Sequence, residues 1–233
     1  GNTKLILEPA SNGVPISPNR NKYYIFAVAL GLLIPFGIIY LKYLLDSKLH
    51  GIHDLIKFKL PAIGEIPKGD EDQRAVVATK NARTHIAEAF RMVRSNMNFL
   101  LDQQHGDKSK TIMFTSSIAS EGKTFISINM GHILSHSNKK VVVMGLDLRA
   151  PKIGRYLDIT SNAGVSNYIV NESLTFDEIL IQDPGNPNMH YILSGDIPPN
   201  PSELLLRERM ATLMEEAQRR FDYVILDTAP VAL

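Results

Sequence analysis

One short loop restricts the possible folds of this chain more than any other feature. The loop, Ser117–Thr124, ends in Gly-Lys-Thr, as phosphate-binding P-loops do. The apolar stretch Thr111–Thr115 precedes it, and a helix-like segment follows from Thr124 to about His136. A strand, a loop and a helix in this order surround an anion with backbone N–H groups and the positive end of the helix. The sequence therefore predicts that the chain binds a nucleoside triphosphate or descends from a protein that did.

Two positions of the loop differ from the usual P-loop pattern. Ser117 occupies the position at which the pattern opens with Gly, and Ser120 occupies one at which a second Gly is common. Glycine is favoured where φ is positive or where the backbone closely approaches a phosphate. Because Gly-Lys-Thr alone is weak evidence, the interpretation depends on acidic residues elsewhere in the chain.

Two such acidic residues follow apolar runs that are typical of buried strands. Asp147 follows the run 141–146, and Asp227 follows the run 221–226. Ligands of parallel α/β sheets bind outside the carboxyl ends of the strands. A P-loop and two carboxylates at that edge are what Mg²⁺-assisted phosphoryl transfer requires. Each aspartate alone is more often a helix cap or turn residue. Together with Lys123 they predict a P-loop NTPase-type α/β fold, with a parallel sheet and helical crossovers.

Composition argues against several other classes of protein. The 233 residues suffice for one α/β domain with attachments, and a net charge of +1 gives no bulk electrostatic support for nucleic-acid binding. Without cysteine the chain has no disulfide and no thiolate metal site. The seven histidines show no metal-ligand spacing, and His132 and His136 are interpreted as surface residues of a helix.

Four tyrosines are interpreted as packing residues: Tyr156, Tyr168, Tyr191 and Tyr223.

The longest apolar run, Tyr23–Leu41, predicts a membrane-spanning helix ahead of the α/β domain. Its 19 residues carry no charge, which suits a hydrocarbon core of about 30 Å. Tyrosines lie at both ends, as in interfacial belts. A buried core helix is the alternative. More basic residues follow the run than precede it, which favours a cytoplasmic location for the part of the chain after it.

The segment from Thr84 to Leu101 predicts an amphipathic helix. Its apolar residues recur at intervals of 4, 3, 4 and 3: Ile86, Phe90, Val93, Met97 and Leu100. A neighbouring stripe carries Glu88, Arg91 and Arg94. From spacing alone, Glu88 and Arg91 form a surface ion pair that contributes only ~0.3–0.5 kcal/mol.

Further along the chain, Met189–Leu193 predicts a short strand, and Ser202 is a candidate N-cap for a helix to about Arg220.

Several of these motifs together resemble those of the bacterial tyrosine kinases (BY-kinases). The P-loop, Asp147-x-Arg149 and the stretch 227–230 (Asp-Thr-Ala-Pro) resemble the Walker A, A′ and B motifs of that family. The segment 195–205 is similar to the family's G-x-x-P-P-N-P-x-E-L-L, and 60–67 to its juxtamembrane L-P-x-x-G-x-I-P. Glu88, Arg91 and Arg94 match its ring-assembly motif, E-x-x-R-x-x-R. The resemblance spans essentially the whole chain. It departs at Gly145, where many relatives carry Asp, and at Ala229, where Pro is more usual.

The resemblance implies a kinase associated with the membrane proteins that control capsular and exopolysaccharide chain length. The implied activity is ATP-dependent tyrosine autophosphorylation between neighbouring subunits, which regulates polysaccharide polymerisation and export. The implied partners are other copies of the chain in a ring, a phosphotyrosine phosphatase, the polysaccharide polymerase and export machinery, and the inner membrane. No nucleic acid is implied.

The resemblance also implies a domain organisation. Residues 1–22 are the end of a periplasmic region, 23–45 a transmembrane helix, 46–83 a juxtamembrane segment and linker, and 84–233 a cytoplasmic P-loop kinase domain. The kinase domain is expected to be incomplete at its C-terminal end. The chain is expected to be a fragment without the family's C-terminal tyrosine cluster.

The motifs assign roles to residues around Mg·ATP. Lys123 neutralises the β/γ-phosphates, Thr124 and Asp227 organise Mg²⁺, and Asp147 assists the metal or accepts the proton of the incoming tyrosine. Arg149 either stabilises the transferring phosphoryl group or pairs with a neighbouring carboxylate. The predicted nucleotide-binding residues are Ser117, Ala119, Ser120, Glu121, Gly122, Lys123, Thr124 and Phe125.

Two other functions stay open from the sequence. One is a non-kinase ATPase of the related partitioning type, and the other is an inactive chain-length-regulating scaffold with a degenerate nucleotide site. Phosphotyrosine formed from ATP would distinguish the kinase from both.

Overall fold

The computed structural model describes residues 19–46, 61–68, 76–79, 81–105, 109–161 and 163–231. The chain divides into two compact units, Gly1–Phe58 and Lys59–Leu233. The predictions for residues 1–18 and for residues 47–60, 69–75 and 80 of the juxtamembrane segment and linker lie outside the described residues.

The described part of the first unit is one helix, α1, Arg20–Leu45. Its 26 residues correspond to about 39 Å at 1.5 Å per residue. Every residue of the helix is exposed, and Pro35 lies inside it. The helix extends beyond both ends of the predicted apolar run. By length and composition it could cross a membrane.

The second unit alternates strands and helices. It begins with the helix α2, His85–His105, which confirms the predicted amphipathic helix. The elements that follow are β1 Lys110–Phe114, α3 Lys123–Ser135, β2 Val141–Gly145, α4 Ile153–Leu157, α5 Val165–Val170, α6 Phe176–Ile179, β3 Ile181–Asp183, β4 Asn186–Ile192, α7 Pro201–Leu205, α8 Glu208–Arg220 and β5 Tyr223–Asp227.

The five strands form one sheet in the order β1-β5-β2-β4-β3. β1, β5, β2 and β4 are parallel, which confirms the predicted α/β class. β5 lies between β1 and β2, so Asp227 pairs with Phe114 on one side and with Gly145 on the other. The register therefore brings the start of the P-loop, Asp227 and the segment before Asp147 to the same edge of the sheet.

The edge strand β3 departs from the predicted parallel arrangement. It runs antiparallel to β4, because only two residues, Pro184 and Gly185, connect the strands and so short a connection can only form a hairpin. The Gly185 N–H donates to the Asp183 carboxylate at 2.8 Å, which closes the turn.

Both faces of the sheet are covered. Successive strand residues point to opposite faces, so Val142 and Met144 of β2 join one apolar cluster while Val141 and Val143 join the other. The first cluster includes residues of α5, α6, α7 and α8, and the second includes residues of α2 and α3. The result is a three-layer structure in which the strand ends and loops are the places that can hold a ligand.

Two predictions about polar residues are wrong. Ser202 does not cap one long helix: α7 begins after Asn200 with Pro201 in its first turn, and a separate helix, α8, begins after Arg207. His132 is not a surface residue, because its Nε2 lies 2.8 Å from the buried Tyr191 hydroxyl. Burial lowers the pKa of His132 to about 4, so it is neutral at physiological pH.

The four tyrosines differ in their surroundings. Tyr168, Tyr191 and Tyr223 are buried, as expected of packing residues, whereas Tyr156 is 41% exposed. The Tyr191 hydroxyl also donates to the Asp183 carboxylate at 3.1 Å, which fastens β3 to β4.

Candidate active site

The P-loop connects β1 to α3 through a strained turn. Gly122 precedes the first turn of α3 with a φ of 85°, and Ser120 has a φ of 68°. A positive φ is free for glycine but costs an L-residue roughly 1–2 kcal/mol. Ser120 therefore adopts the glycine-like conformation that the usual sequence pattern provides without strain.

The Glu121 side chain forms hydrogen bonds within the P-loop. Its carboxylate accepts hydrogen bonds from the backbone N–H groups of Ser117, at 2.9 Å, and Ile118, at 3.3 Å. The Ser116 hydroxyl donates to the Ile118 carbonyl at 2.8 Å, in the same turn. The backbone N–H of Ser117, a predicted nucleotide-binding residue, is thus donated within the loop.

Lys123, Thr124 and Asp227 lie together at the end of β5. The Thr124 hydroxyl donates to Asp227 Oδ2 at 2.8 Å, and Lys123 Nζ is 3.9 Å from Oδ1. The side chains of Lys123 and Asp227 are only 8% and 2% exposed. A hydroxyl and a carboxylate this close are the hard oxygen donors that Mg²⁺ prefers, so the residues fit the predicted metal.

Asp227 has an unusual electrostatic environment. Burial raises the pKa of its carboxyl, and the charge of Asp147 raises it further. The hydrogen bond from Thr124 and the charge of Lys123 oppose this rise in pKa. The carboxylate thus depends on its cationic and hydroxyl neighbours for stabilisation.

Asp147 is fixed beside this cluster by backbone hydrogen bonds. The N–H groups of Leu146 and Asp147 donate to the Asp227 carbonyl at 2.8 and 3.1 Å. The Asp147 carboxylate accepts from the N–H groups of Ala150, at 3.0 Å, and Arg149, at 3.3 Å. This turn joins the predicted A′ and B motifs through the main chain. The Asp147 side chain is buried and held in one orientation.

The Arg149 side chain lies beside the start of α7. The side chain is exposed, and its Nη2 lies 3.5 Å from the Ser202 hydroxyl at the start of α7. Among the described residues, Arg149 forms no ion pair. The predicted pairing with a neighbouring carboxylate is therefore absent from this part of the chain.

Ser127 is a member of the cluster that the sequence did not reveal. It lies on α3 one turn after Lys123, and its hydroxyl is 2.9 Å from the Lys123 carbonyl and 3.4 Å from Asp227 Oδ1. Its position one turn along the helix from Thr124 was the sequence signal that could have indicated it.

Phe125 is a predicted nucleotide-binding residue, and its ring packs on Phe90 with the ring centroids 5.8 Å apart.

The predicted assembly residues on α2 have partners within the chain. Glu88 pairs with Arg91, whose guanidinium also donates to the Ala82 carbonyl at 2.6 Å. Arg94 donates to the Ser137 hydroxyl and to the Ile133 carbonyl. The Glu88 side chain is 60% exposed, so it remains accessible to another molecule.

Fold and site together define an α/β protein of the P-loop class. No protein-family model matches the chain. YwqD, a tyrosine-protein kinase of Bacillus subtilis (strain 168), is 31% identical over 165 residues, which are 70% of this chain and 67% of that protein. A putative tyrosine-protein kinase in the cps region of Klebsiella pneumoniae is 26% identical over 99% of this chain.

Solved structures agree with these relatives. The kinase domain of the Escherichia coli tyrosine kinase ETK superposes with a TM-score of 0.69 at 26% identity, covering 78% of this chain and 74% of that domain. A chimerical protein, CapA2B2, gives the same score and identity, covering 78% of this chain and 76% of its own. The chain belongs to the bacterial tyrosine kinases, as its motifs predicted. It spans about a third of the length of the longer curated relatives, 34% for the Klebsiella protein.

Replacing Asp227 by Asn should change how the stability of the fold depends on pH. Since the raised pKa means that the folded protein holds this proton more tightly than the unfolded chain, ionisation of Asp227 with rising pH costs stability. Asn cannot ionise. The stability of the variant relative to the parent should therefore be greater at about pH 7 than at about pH 4, as measured by urea denaturation followed by circular dichroism. Asp158→Asn, at an exposed carboxylate, is the control. A difference that does not grow with pH would contradict a raised pKa at Asp227.

The second prediction concerns Gly145, the departure from the family's acidic pattern. A Cβ at this position would lie 2.6 Å from the Ser194 hydroxyl oxygen and 3.2 Å from its backbone nitrogen. Because Ser194 is buried, Gly145→Asp should lower the unfolding free energy by about 1–3 kcal/mol. Adding Ser194→Gly should recover part of the loss, since it removes the closer atom. Strictly additive effects in a double-mutant cycle would show that the two residues do not compete for this space.

Proposed function

We propose that this chain carries the phosphoryl-transfer centre of an ATP-dependent protein-tyrosine kinase. The observation that carries the proposal is the buried cluster of Lys123, Thr124 and Asp227 below a P-loop, with Asp147 fixed beside it. A lysine, a hydroxyl and a carboxylate at one strand edge are the parts that hold Mg·ATP in P-loop enzymes. Membership in the bacterial tyrosine kinases supports tyrosine as the acceptor.

Each residue then has a role in the reaction. Lys123 places a positive charge at the β/γ-phosphates, while Thr124 and Asp227 would hold Mg²⁺, the latter through water. When bound, the metal offsets charge on the phosphate oxygens. The phenolic oxygen bonds to the γ-phosphorus as the bond from that phosphorus to the β,γ-bridging oxygen breaks. ADP leaves with the electron pair, and the phenolic proton passes to Asp147. Positioning supplies most of the rate.

The two competing functions make different predictions for the same protein. A non-kinase ATPase would hydrolyse ATP without forming phosphotyrosine, and a scaffold would do neither. The buried Lys123 and the hydrogen bond between Thr124 and Asp227 favour an active site over a degenerate one. Ser117 and Gly145 are compatible with activity, because the loop is closed by Glu121 and Ser194 occupies the space beside Gly145.

The cellular setting is part of the proposal. The exposed apolar helix α1 supports anchoring in the inner membrane, with the P-loop unit in the cytoplasm where ATP is found. The family resemblance supports a role in polysaccharide polymerisation and export, and resetting by a phosphotyrosine phosphatase. The domain boundaries proposed are those predicted from the sequence, with the membrane helix extended to Arg20–Leu45.

Lys123→Met tests the catalytic proposal. The full chain with Mg·ATP and a tyrosine peptide should give phosphotyrosine on an immunoblot, and the variant should lose at least about a hundredfold of that signal, since it removes the charge that faces the phosphates. Lys139→Met, at an exposed lysine of the same unit, should keep the signal. ATP hydrolysis without phosphotyrosine in the parent would support the ATPase instead. ATP binding without either reaction would support the scaffold.

We also propose that copies of the chain assemble into a ring through Glu88 of one subunit and Arg94 of the next. The exposure of Glu88 supports this pairing. Arg91 forms an ion pair with Glu88 on the same face of α2, so its role in the proposed assembly is to orient the Glu88 side chain.

Charge reversal tests the assembly. Glu88→Arg and Arg94→Glu should each abolish the oligomer in analytical ultracentrifugation in detergent, because each places like charges across the interface. An equimolar mixture of the two variants should assemble again, because subunits of opposite reversal can then pair. Failure of the mixture, with both variants folded, would reject the pairing. Ser95→Arg, on an exposed position of the same helix, controls for added charge.

A further inference from the structure

The two oxygens of the buried Asp227 carboxylate have different neighbours. Oδ2 accepts a hydrogen bond from the Thr124 hydroxyl at 2.8 Å. Oδ1 is approached by Lys123 Nζ at 3.9 Å and by the Ser127 hydroxyl at 3.4 Å. Because the Asp227 side chain is only 2% exposed, its oxygens depend on these protein groups rather than on bulk water.

Lys123 has two anionic partners in the proposed function. Its ammonium group is a point charge that faces the β/γ-phosphates when the nucleotide binds. As the ammonium group moves toward the phosphates, its attraction to Asp227 Oδ1, which it approaches only to 3.9 Å, decreases. A buried carboxylate oxygen that loses a cationic neighbour costs free energy unless another donor replaces that neighbour.

The Ser127 hydroxyl is placed to make this replacement. It carries one proton, which in this structure is directed at the Lys123 carbonyl, 2.9 Å away. That carbonyl lies one turn earlier on α3 and also accepts the Ser127 backbone N–H, so it keeps a partner when the hydroxyl turns away. Rotation about the Cβ–Oγ bond redirects the proton to Asp227 Oδ1, and a small approach shortens the 3.4 Å separation.

Resting on the proposed kinase function, we infer that Ser127 is a positioning residue that replaces Lys123 at Asp227 Oδ1. Its hydroxyl holds the carboxylate in one orientation while the lysine faces the phosphates. Asp227 Oδ2 and the Thr124 hydroxyl therefore stay together at the proposed cation site. Ser127 acts through Asp227, and it lowers the electrostatic cost of moving the lysine to the nucleotide.

Nucleotide affinity tests this exchange of partners. Ser127→Ala and Ser127→Cys should each raise the dissociation constant of Mg·ATP about tenfold, because neither side chain donates a strong hydrogen bond to a charged oxygen. Calorimetry on the full chain in detergent micelles measures the constant. Cysteine nearly preserves the volume of the buried serine, so an effect that both variants share does not come from a cavity.

Ser135→Ala is the matched control for the loss of a buried helix hydroxyl. Ser135 is buried on the same helix, and its hydroxyl donates to the His132 carbonyl at 2.8 Å. This variant should bind Mg·ATP as the parent does. An unchanged dissociation constant in Ser127→Ala, or full affinity in Ser127→Cys, would overturn the inference.

A second measurement is made without nucleotide and does not depend on kinase activity. In Lys123→Met the lysine is absent from Asp227 Oδ1, so the Ser127 hydroxyl should already donate to that oxygen. Ser127→Ala should therefore lower the urea midpoint of unfolding, followed by circular dichroism, more in the Lys123→Met background than in the parent. Strictly additive shifts of the midpoint would overturn the inference.

The outcomes separate the role of Ser127 from the proposed function. If the parent phosphorylates a tyrosine peptide and the midpoint shifts are additive, the kinase function stands and the role of Ser127 is rejected. If the parent forms no phosphotyrosine, the kinase function fails. The unfolding cycle then still decides whether Ser127 replaces Lys123 at Asp227.

Discussion

The register of β5 between β1 and β2 is the constraint on which the site depends. It places the Asp227 backbone between Phe114 and Gly145, and the Asp227 carbonyl then receives the N–H groups of Leu146 and Asp147. A shift of one residue would turn the Asp227 side chain to the opposite face of the sheet, away from Thr124. The alternating apolar residues of the strands fix the register, since the same shift would exchange the residues that face the two cores.

The sequence was sufficient to predict the site at the two places where an aspartate follows a buried strand. The apolar runs before Asp147 and Asp227 predicted strands, and parallel strands carry their ligands at one edge, so the sequence alone predicted that both aspartates lie near Lys123 and Thr124. It did not reveal Ser127. Two further signals are present in the sequence. Pro184-Gly185 is typical of a tight turn, and Pro201 is typical of the first turn of a helix, but the longer hydrophobic patterns do not indicate either structure. The turn accounts for the antiparallel β3, and Pro201 accounts for the start of α7 directly after Asn200.

Other features could not be predicted from the sequence because they depend on packing. Nearly all of α3 is buried, including His132 and Asn129, so the helix has no polar face by which its surface could be recognised. The Asn129 side chain accepts the N–H groups of Val77 and Ala78, which lie 52 and 51 residues away in the chain. Glu121 folds back onto its own loop, and neither spacing nor composition distinguishes this from a solvent-exposed carboxylate.

The electrostatics of Asp227 connect the stability of the fold to the proposed binding of a cation. A carboxylate whose pKa is raised by burial is costly in the empty site, and Lys123 and Thr124 offset only part of that cost. A bound divalent cation would supply the charge that is missing, so the cluster favours the liganded state over the empty one. Asp147 strengthens this preference, because its own charge adds to the repulsion that the cation relieves. Backbone hydrogen bonds hold both aspartates in place, so they cannot move apart to reduce their repulsion. A bound cation would therefore be the way to relieve the unfavourable electrostatic energy of the empty site.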